Sequence, residues 1–424
     1  MSTPADPAGG TGGSGGSAGG TASTESAVDQ RRRTRRTLLG AMFLMATSAI
    51  GPGFITQTTT FTAQLGAAFA FAIVVSILVD IALQLNVWRV IGVSGMRAQE
   101  LGNRVLPGVG WALTGLVVLG GLVFNVGNVA GAGLGLNAMV GLDPRWGAGI
   151  SAVLAIGIFL SRAAGAALDR IVVVLGLVMI AMTTYVAVVS RPPVGEALRN
   201  VVLPEQVDAL AITTIIGGTV GGYITYAGAH RLLDSGTTGP ENVGAITRSS
   251  VTGIVITAVM RAVLFLAILG VVAGGVSLAT ENPAATAFEA AAGEAGLRVF
   301  GVVLWAAALT SVIGASYTSV SFLTTSRTSV RTRNLLTVAF IVVCAGFFVV
   351  AGAAPAQLLV FAGAFNGVVL PLGLVVVLWV ALRRRDLLGG YRYPRWLVTA
   401  GLLAWLVALY LAYRSLATLP TLWS

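Results

Sequence analysis

Apolar runs of about 20 residues recur from residue 37 almost to the C-terminus, and they decide the solvent before any motif is read. At ~1.5 Å per residue, a helix of that length crosses a hydrocarbon core of ~30 Å. Composition agrees, with 56% hydrophobic and 10% charged residues and a mean hydropathy of +0.88. The chain therefore reads as an all-α polytopic membrane protein with the lipid bilayer as its main partner.

The spans expected are 37–70 (interrupted), 71–93, 108–139, 146–162, 168–190, 209–230, 248–276, 296–323, 334–352, 355–381 and 395–416, which makes eleven transmembrane helices. The net charge of +10 comes from arginine alone, as the chain has no lysine. A basic balance of this size suits nucleic acid only when it forms one face, and here it does not. Arg97 and Arg104, Arg162 and Arg170, Arg231 and Arg248, Arg327 to Arg333, and Arg383 to Arg385 lie in alternate loops. The loops between them carry Asp143, Glu196, Glu205, Glu281, Glu289 and Glu294. This is the positive-inside pattern of a multi-pass plasma-membrane protein with a cytoplasmic N-terminus, and no nucleic-acid partner is expected.

Residues 1–36 hold a Gly/Ser-rich stretch and then RRRTRR, and read as a disordered cytoplasmic tail with a basic anchor. Cys344 is the single cysteine and lies in an apolar run, as a small core residue would. The first apolar stretch, 34 residues long, would make a helix of roughly 51 Å, too long to cross unbroken. Gly51-Pro52-Gly53 supplies the break: proline removes a donor and clashes with the preceding turn, and glycine admits conformations closed to other residues. A second interruption, Gly217 to Gly222, falls in the sixth span. Glycine also lets membrane helices pack closely. Two interruptions at equivalent places in a chain divisible into 37–190 and 209–381 instead match the inverted-repeat plan of secondary transporters, with 395–416 as an added helix.

These segments resemble the Nramp family of divalent-metal transporters. Gly51-Pro52-Gly53-Phe54 stands where the family has Asp-Pro-Gly-Asn, and GGTVGGYITY (217–226) resembles GATVMPHNLY. QLNVWRVIGVSG (84–95), FNVGNVAGAGLGLNAMVG (124–141) and FNGVVLP with Asn366 and Pro371 resemble the second, third and tenth helices. The resemblance implies a LeuT-type 5+5 inverted repeat with discontinuous helices 1 and 6. It also implies that the metal-binding Asp, Asn and Met have become Gly51, Phe54 and Gly221, and that the proton-handling His has become Tyr223. The acidic pair of the proton route becomes Asn125 and Asn128, still on one helix face but unable to exchange protons at ordinary pH. A bacterial branch resembles MFLMATSAIGPGF and GNVAGAGLGLN closely, and its members lie beside 5-oxoproline-degrading functions.

The chemistry agrees with the lost metal site. Mn²⁺ or Fe²⁺ calls for carboxylate, imidazole or sulfur ligands, and neither break supplies one. Glycine leaves room, while unwound backbone offers free N–H groups that favour a carboxylate. Thr56 to Thr60 with Gln57 follow the first break, and Tyr223, Thr225 and Tyr226 the second. The threonines either contact substrate or bond their own helix. The candidate substrate site is Gly51, Pro52, Gly53, Phe54, Thr56, Gln57, Gly221, Gly222, Tyr223, Thr225 and Tyr226.

Coupling or gating falls to Asp80, Asn125, Asn128, Arg261, Ser316 and Asn366. Asp80 and Arg261 are ionisable residues inside apolar spans, where charge is costly and is paired or functional. They pair with each other, or Asp80 carries a coupling proton. Hydroxyls at Thr310, Ser311, Ser316, Thr318 and Ser319 in the eighth span leave Na⁺ as another coupling ion. No phosphate loop, activated nucleophile or metal cluster is present, so neither an enzyme nor a cofactor is expected. The function expected is transport of a small organic acid or amino-acid-like solute, with 5-oxoproline a candidate. Carriage of Mn²⁺ or Mg²⁺ and a non-transporting sensor or scaffold are the alternatives.

Overall fold

The computed structural model describes residues 51–324, 328–351 and 354–422. The expected tail, and the first span before Gly51, lie outside the described residues. Fourteen α-helices and no strands are found among the described residues. In chain order they are α1 Pro52–Leu65, α2 Phe69–Ser94, α3 Ala98–Val105, α4 Val109–Val140, α5 Pro144–Leu160, α6 Arg162–Val189 and α7 Val194–Val202. There follow α8 Ala209–Thr219, α9 Tyr223–Asp234, α10 Val243–Ala273, α11 Pro283–Leu323, α12 Val330–Ala351, α13 Pro355–Arg383 and α14 Arg395–Thr418.

Helix boundaries follow local chemistry. Proline opens α1, α5, α11 and α13, where a missing N–H costs nothing. Gly95 and Gly141 close α2 and α4 in the left-handed conformation. Asp143, Asp208 and Asn282 cap the starts of α5, α8 and α11 through their side chains. The expected eighth span starts at 296, whereas α11 runs from Pro283; Gly293, at φ 66° and ψ −165°, divides it into a short helix and the long one. Helix α7 turns by 103° from the end of α6, as an amphipathic segment lying along a bundle end would.

Eight helical stretches among the described residues are long and apolar enough to span, or nine if α6 and α7 count as one bent span. The eleven crossings expected are not reached by this criterion. Helices α1 and α2 run together through a 3₁₀ turn at Gly66–Ala68, and α5 has only 17 residues.

The glycines of α4 explain the tightest packing. A Cβ on Gly135 would meet the backbone at Trp305 of α11, and one on Gly301 would meet the backbone at Met139. Small residues therefore let α4 and α11 approach backbone to backbone, the main source of helix association where lipid is as apolar as the side chains. Trp88 of α2 is fully buried, donates from Nε1 to the Thr225 carbonyl at 3.0 Å and lies over Gly228 of α9. Cys344 is buried in α12, as expected.

Candidate functional site

Both glycine segments contain non-helical backbone, and the second is narrower than the sequence suggests. At the first, Gly51 is extended (φ −84°, ψ −174°) and Pro52 and Gly53 already belong to the first turn of α1, while the chain before Gly51 lies outside the described residues. At the second, Gly217, Gly218 and Thr219 are still helical. The break is Val220 (φ −123°, ψ −3°), Gly221 and Gly222 (φ 51°, ψ −121°). Gly222 adopts a conformation that side chains other than hydrogen resist. No side chain caps the start of α1 or of α9, so both half-helices present first-turn N–H groups of the kind that attract anions.

Tertiary packing brings the breaks together. Phe124 of α4 lies against Gly53 and meets the Tyr223 ring edge-on at 5.5 Å between centroids. Pro52 packs on Gly131 of the same helix. Gln57 is fully buried and donates from Nε2 to the Leu359 carbonyl of α13 at 2.9 Å, and its amide fills the place where Cβ atoms of Gly218 and Gly363 would lie. It thereby ties α1 to α8 and α13. Asn366 donates from Nδ2 to the carbonyls of Gly120 (3.1 Å) and Ala362 (2.8 Å). Its Oδ1 is buried without a partner against Gly222.

Arg261 of α10 is 2% exposed and joins this crossing. Its guanidinium lies over the Phe54 ring, 4.5 Å from the centroid, a cation–π contact. Nη1 donates to Thr219 Oγ1 at 3.0 Å and to the Ile215 carbonyl at 3.4 Å. A cation at the C-terminal end of α8 also complements that helix's dipole. Nε and Nη2 are buried without any hydrogen-bond partner. Asp80 of α2 is 1% exposed, and its Oδ1 also lacks a partner. Asp80 and Arg261 form no direct ion pair: the ion pairs among the described residues join Arg97 to Asp234, Arg298 to Glu294 and Arg384 to Asp386.

The asparagines expected on one face of α4 do form a network. Asn128 donates to Asn125 Oδ1 (3.4 Å), Asn125 to Ser316 Oγ (2.8 Å) and Ser316 to the Val312 carbonyl (2.7 Å). The buried Tyr223 hydroxyl lies beside Asn128, and neither it nor Asn128 Oδ1 has a partner by bonding geometry. Two of the four threonines between 56 and 60 take the local option, with Thr58 and Thr59 bonding the carbonyls of Phe54 and Ile55. Thr56 is buried nearby, Thr225 Oγ1 is buried and unpartnered, and Tyr226 donates to the Gly373 carbonyl at 3.2 Å. In the eighth span Ser311 and Ser319 are buried without partners, while Thr310 bonds its own helix.

Gly221 departs from expectation. Its Cβ direction meets the backbone of Gly217, four residues earlier in the last turn of α8, so a side chain here would collide with the turn that precedes it and the position does not open space in that direction. Phe124 and Thr219, which line the crossing, escaped the sequence reading. Their only sequence signal was adjacency to Asn125 and to the glycine run.

The two ends of the bundle differ. At the arginine-rich end Arg97 pairs with Asp234 at 3.2 Å and donates to the Ser321 carbonyl at 3.3 Å. Beside it His230 accepts from the Ala98 amide at 3.3 Å and stacks on Phe322 with centroids 4.7 Å apart. These contacts close α9 against α11. At the other end a cavity of about 630 Å³ is lined in part by Asn137, Asp143, Arg145, Glu281, Asn282 and Glu289. No group of three or more His, Cys, Asp or Glu suited to a metal occurs among the described residues.

The Bacillus subtilis membrane protein YcsG, described only as uncharacterized, is 52% identical over 389 residues, covering 91% of this chain and 96% of that protein. Among solved structures, a manganese transporter of Eremococcus coleocola superposes with a TM-score of 0.71 at 20% identity, covering 90% of this chain and 86% of that one. MhsT, solved with L-phenylalanine, gives a TM-score of 0.67 at 18% identity, covering 89% of this chain and 98% of that one. Likeness at these identities establishes the LeuT-type fold. The model of the natural resistance-associated macrophage protein-like (Nramp) family matches residues 42–418, which places the chain in that family of membrane transporters.

Proposed function

We propose that this Nramp-family protein is a secondary active carrier of a small organic acid or amino-acid-like solute. It works by alternating access of 37–190 against 209–381 in a bacterial plasma membrane, with the N-terminus cytoplasmic. One observation carries the reading: the buried Arg261 guanidinium lies over Phe54 at the crossing of the broken helices, with Nε and Nη2 unpartnered. The bland role of Arg261, capping α8, uses Nη1 alone. The unused edge is a planar two-donor fork, which matches a carboxylate. Uncapped N–H groups at the starts of α1 and α9 favour the same charge. 5-Oxoproline, with one carboxylate and a compact lactam, is the candidate that the resembling bacterial branch suggests. That MhsT was solved with an amino acid supports a solute of this size by fold analogy only.

Carriage of a divalent cation is the second reading. It is favoured by the manganese transporter's fold and by Asp143, Glu281 and Glu289, which line the cavity beside Arg145 and give it a net acidic lining. Against it, Gly51, Phe54 and Gly221 provide no side-chain ligand, and Arg261 repels a cation at the crossing.

Counterflow in proteoliposomes separates the readings, and also separates a carrier from a sensor. Labelled 5-oxoproline, an amino-acid mixture and ⁵⁴Mn²⁺ are offered to vesicles loaded with the unlabelled form. Exchange of a carboxylic acid without exchange of manganese is expected. Manganese exchange alone would replace the proposal with the cation reading, and no exchange of any solute would favour a sensor.

A further inference from the structure

We propose that the groove over α2, between α10 and α14, holds one anionic phospholipid with its phosphate seated on Arg89. This site is separate from the helix crossing and does not depend on what the carrier moves.

Two side-chain amides fix the neighbours of α2. Gln84 Nε2 donates to the Ser250 carbonyl of α10 at 3.0 Å, and Asn86 Nδ2 to the Leu397 carbonyl of α14 at 3.2 Å. At about 100° per residue these two side chains leave α2 roughly 160–200° apart, and the arc between them carries Leu78, Ala82, Leu85 and Arg89. Positions 78 and 89 differ by about 1100°, three turns and roughly 20°, so they share one stripe. Leu78 is 64% exposed, which makes this stripe the side by which α2 reaches lipid.

Arg89 ends the stripe. In a helix of 26 residues it lies about 11 Å beyond the midpoint, toward the arginine-rich end, and half of a hydrocarbon core is ~15 Å. It is 6% exposed. Nη2 donates to Thr247 Oγ1 of α10 at 2.6 Å, and Thr247 passes its own proton to the Val243 carbonyl at 2.7 Å. On the α14 side Tyr393 Oη donates to Asn86 Oδ1 at 2.9 Å, one turn before Arg89.

These contacts leave the guanidinium without a counter-charge. Nε is buried with no partner, and no ion pair among the described residues includes Arg89. An uncompensated buried charge is costly at this depth. The negative end of the α2 dipole is no substitute, because Arg89 precedes the last turn, where that effect acts. The free edge of the guanidinium is a planar fork that fits two oxygens of a phosphate.

The surroundings carry the same sign. Exposed Arg248 follows Thr247, exposed Arg392 precedes Tyr393, and exposed Arg395 opens α14. On the same segments the acids are Glu241, which is exposed, and Asp386, which pairs with Arg384. Neither α10 nor α14 has a side-chain cap at its start, so both turn first-turn N–H groups toward this end. Basic pockets between membrane helices at the positively charged face suit anionic headgroups. The apolar stripe from Leu85 to Leu78 gives an acyl chain a bed, and exposed Trp396 stands beside Arg395 as an interfacial aromatic does. A free phosphate would gain nothing from either.

The test uses full-length protein in neutral detergent, titrated with phosphatidylglycerol, with phosphatidylcholine of the same acyl chains, or with inorganic phosphate. Bound lipid is read by native mass spectrometry and stability by the unfolding temperature. Wild type should retain one phosphatidylglycerol about tenfold or more tightly than phosphatidylcholine and unfold at a higher temperature with it, while millimolar phosphate changes neither reading. Arg89→Gln, which keeps a donor within reach of Thr247, should bind the two lipids alike, and Arg89→Lys should keep part of the preference. Equal retention of both lipids by wild type would overturn the proposal, and that measurement needs no variant to fold. An undiminished preference in folded Arg89→Gln would also overturn it, by assigning the headgroup to the exposed arginines. Inorganic phosphate that stabilises wild type and displaces phosphatidylglycerol would overturn the lipid assignment and leave a soluble-anion site.

Discussion

Replacing Arg261 by glutamine removes the one full positive charge at the helix crossing while keeping a side chain of similar length. In the structure Nη1 is spent on Thr219 and Ile215, which leaves Nε and Nη2 for a ligand. A carboxylate bound across them makes two charge-assisted hydrogen bonds, each worth roughly 1.5–3 kcal/mol. Truncating one partner of a buried charge pair costs about 2–5 kcal/mol, and every 1.4 kcal/mol is about tenfold in Kd. Arg261→Gln should therefore weaken binding of 5-oxoproline by roughly 30-fold to several thousandfold. Arg261→Lys keeps the charge but loses the fork, and should fall between. Calorimetry on purified protein, with a melting curve to verify folding, measures all three. A folded Arg261→Gln protein that binds within about threefold of wild type would refute the reasoning, because Arg261 would then be only a cap for α8.

Gly222→Ala should lower stability by about 2–4 kcal/mol, since φ is 51° and the new methyl would collide with Asn366 Oδ1; Asn366→Ala should recover part of the loss in a melting experiment. Gly51→Asp sets a carboxylate at the start of α1, three residues before the Phe54 that lies under Arg261, and repulsion of about 4 kcal/mol toward a bound anion should abolish solute uptake at equal expression. Calorimetry with Mn²⁺ should show no saturable binding at micromolar concentration, because Gly51, Phe54 and Gly221 bring no ligand atoms. Arg97→Ala removes a half-exposed contact worth about 0.5–1 kcal/mol, so a cysteine placed at Ala227 in a Cys344→Ala background should be alkylated roughly two- to fivefold faster from the arginine-rich side.

The fold was legible in the sequence because the bilayer imposes length, and length is a one-dimensional property. Apolar runs placed α2, α4, α10, α12, α13 and α14 within a few residues of their ends, Gly51-Pro52 marked the start of α1, and Gly221-Gly222 marked the break between α8 and α9. The polar network from Asn128 through Asn125 to Ser316 was half visible, since three residues apart on a helix means one face. The partner of an isolated charge was not visible. Arg261 was conspicuous as an arginine in an apolar span, but nothing local says that it lies over Phe54, 207 positions earlier, and bonds Thr219 while missing direct contact with Asp80. Nor does sequence tell a glycine that opens space from one where a side chain would collide with the turn that precedes it. Gly221 looked like the first kind and is the second, because the direction of its missing Cβ is set by how α8 meets the break. Sequence alone determined the solvent, the helices and the points where they must yield; which side chains face one another across those points was decided only when packing brought distant helices into contact.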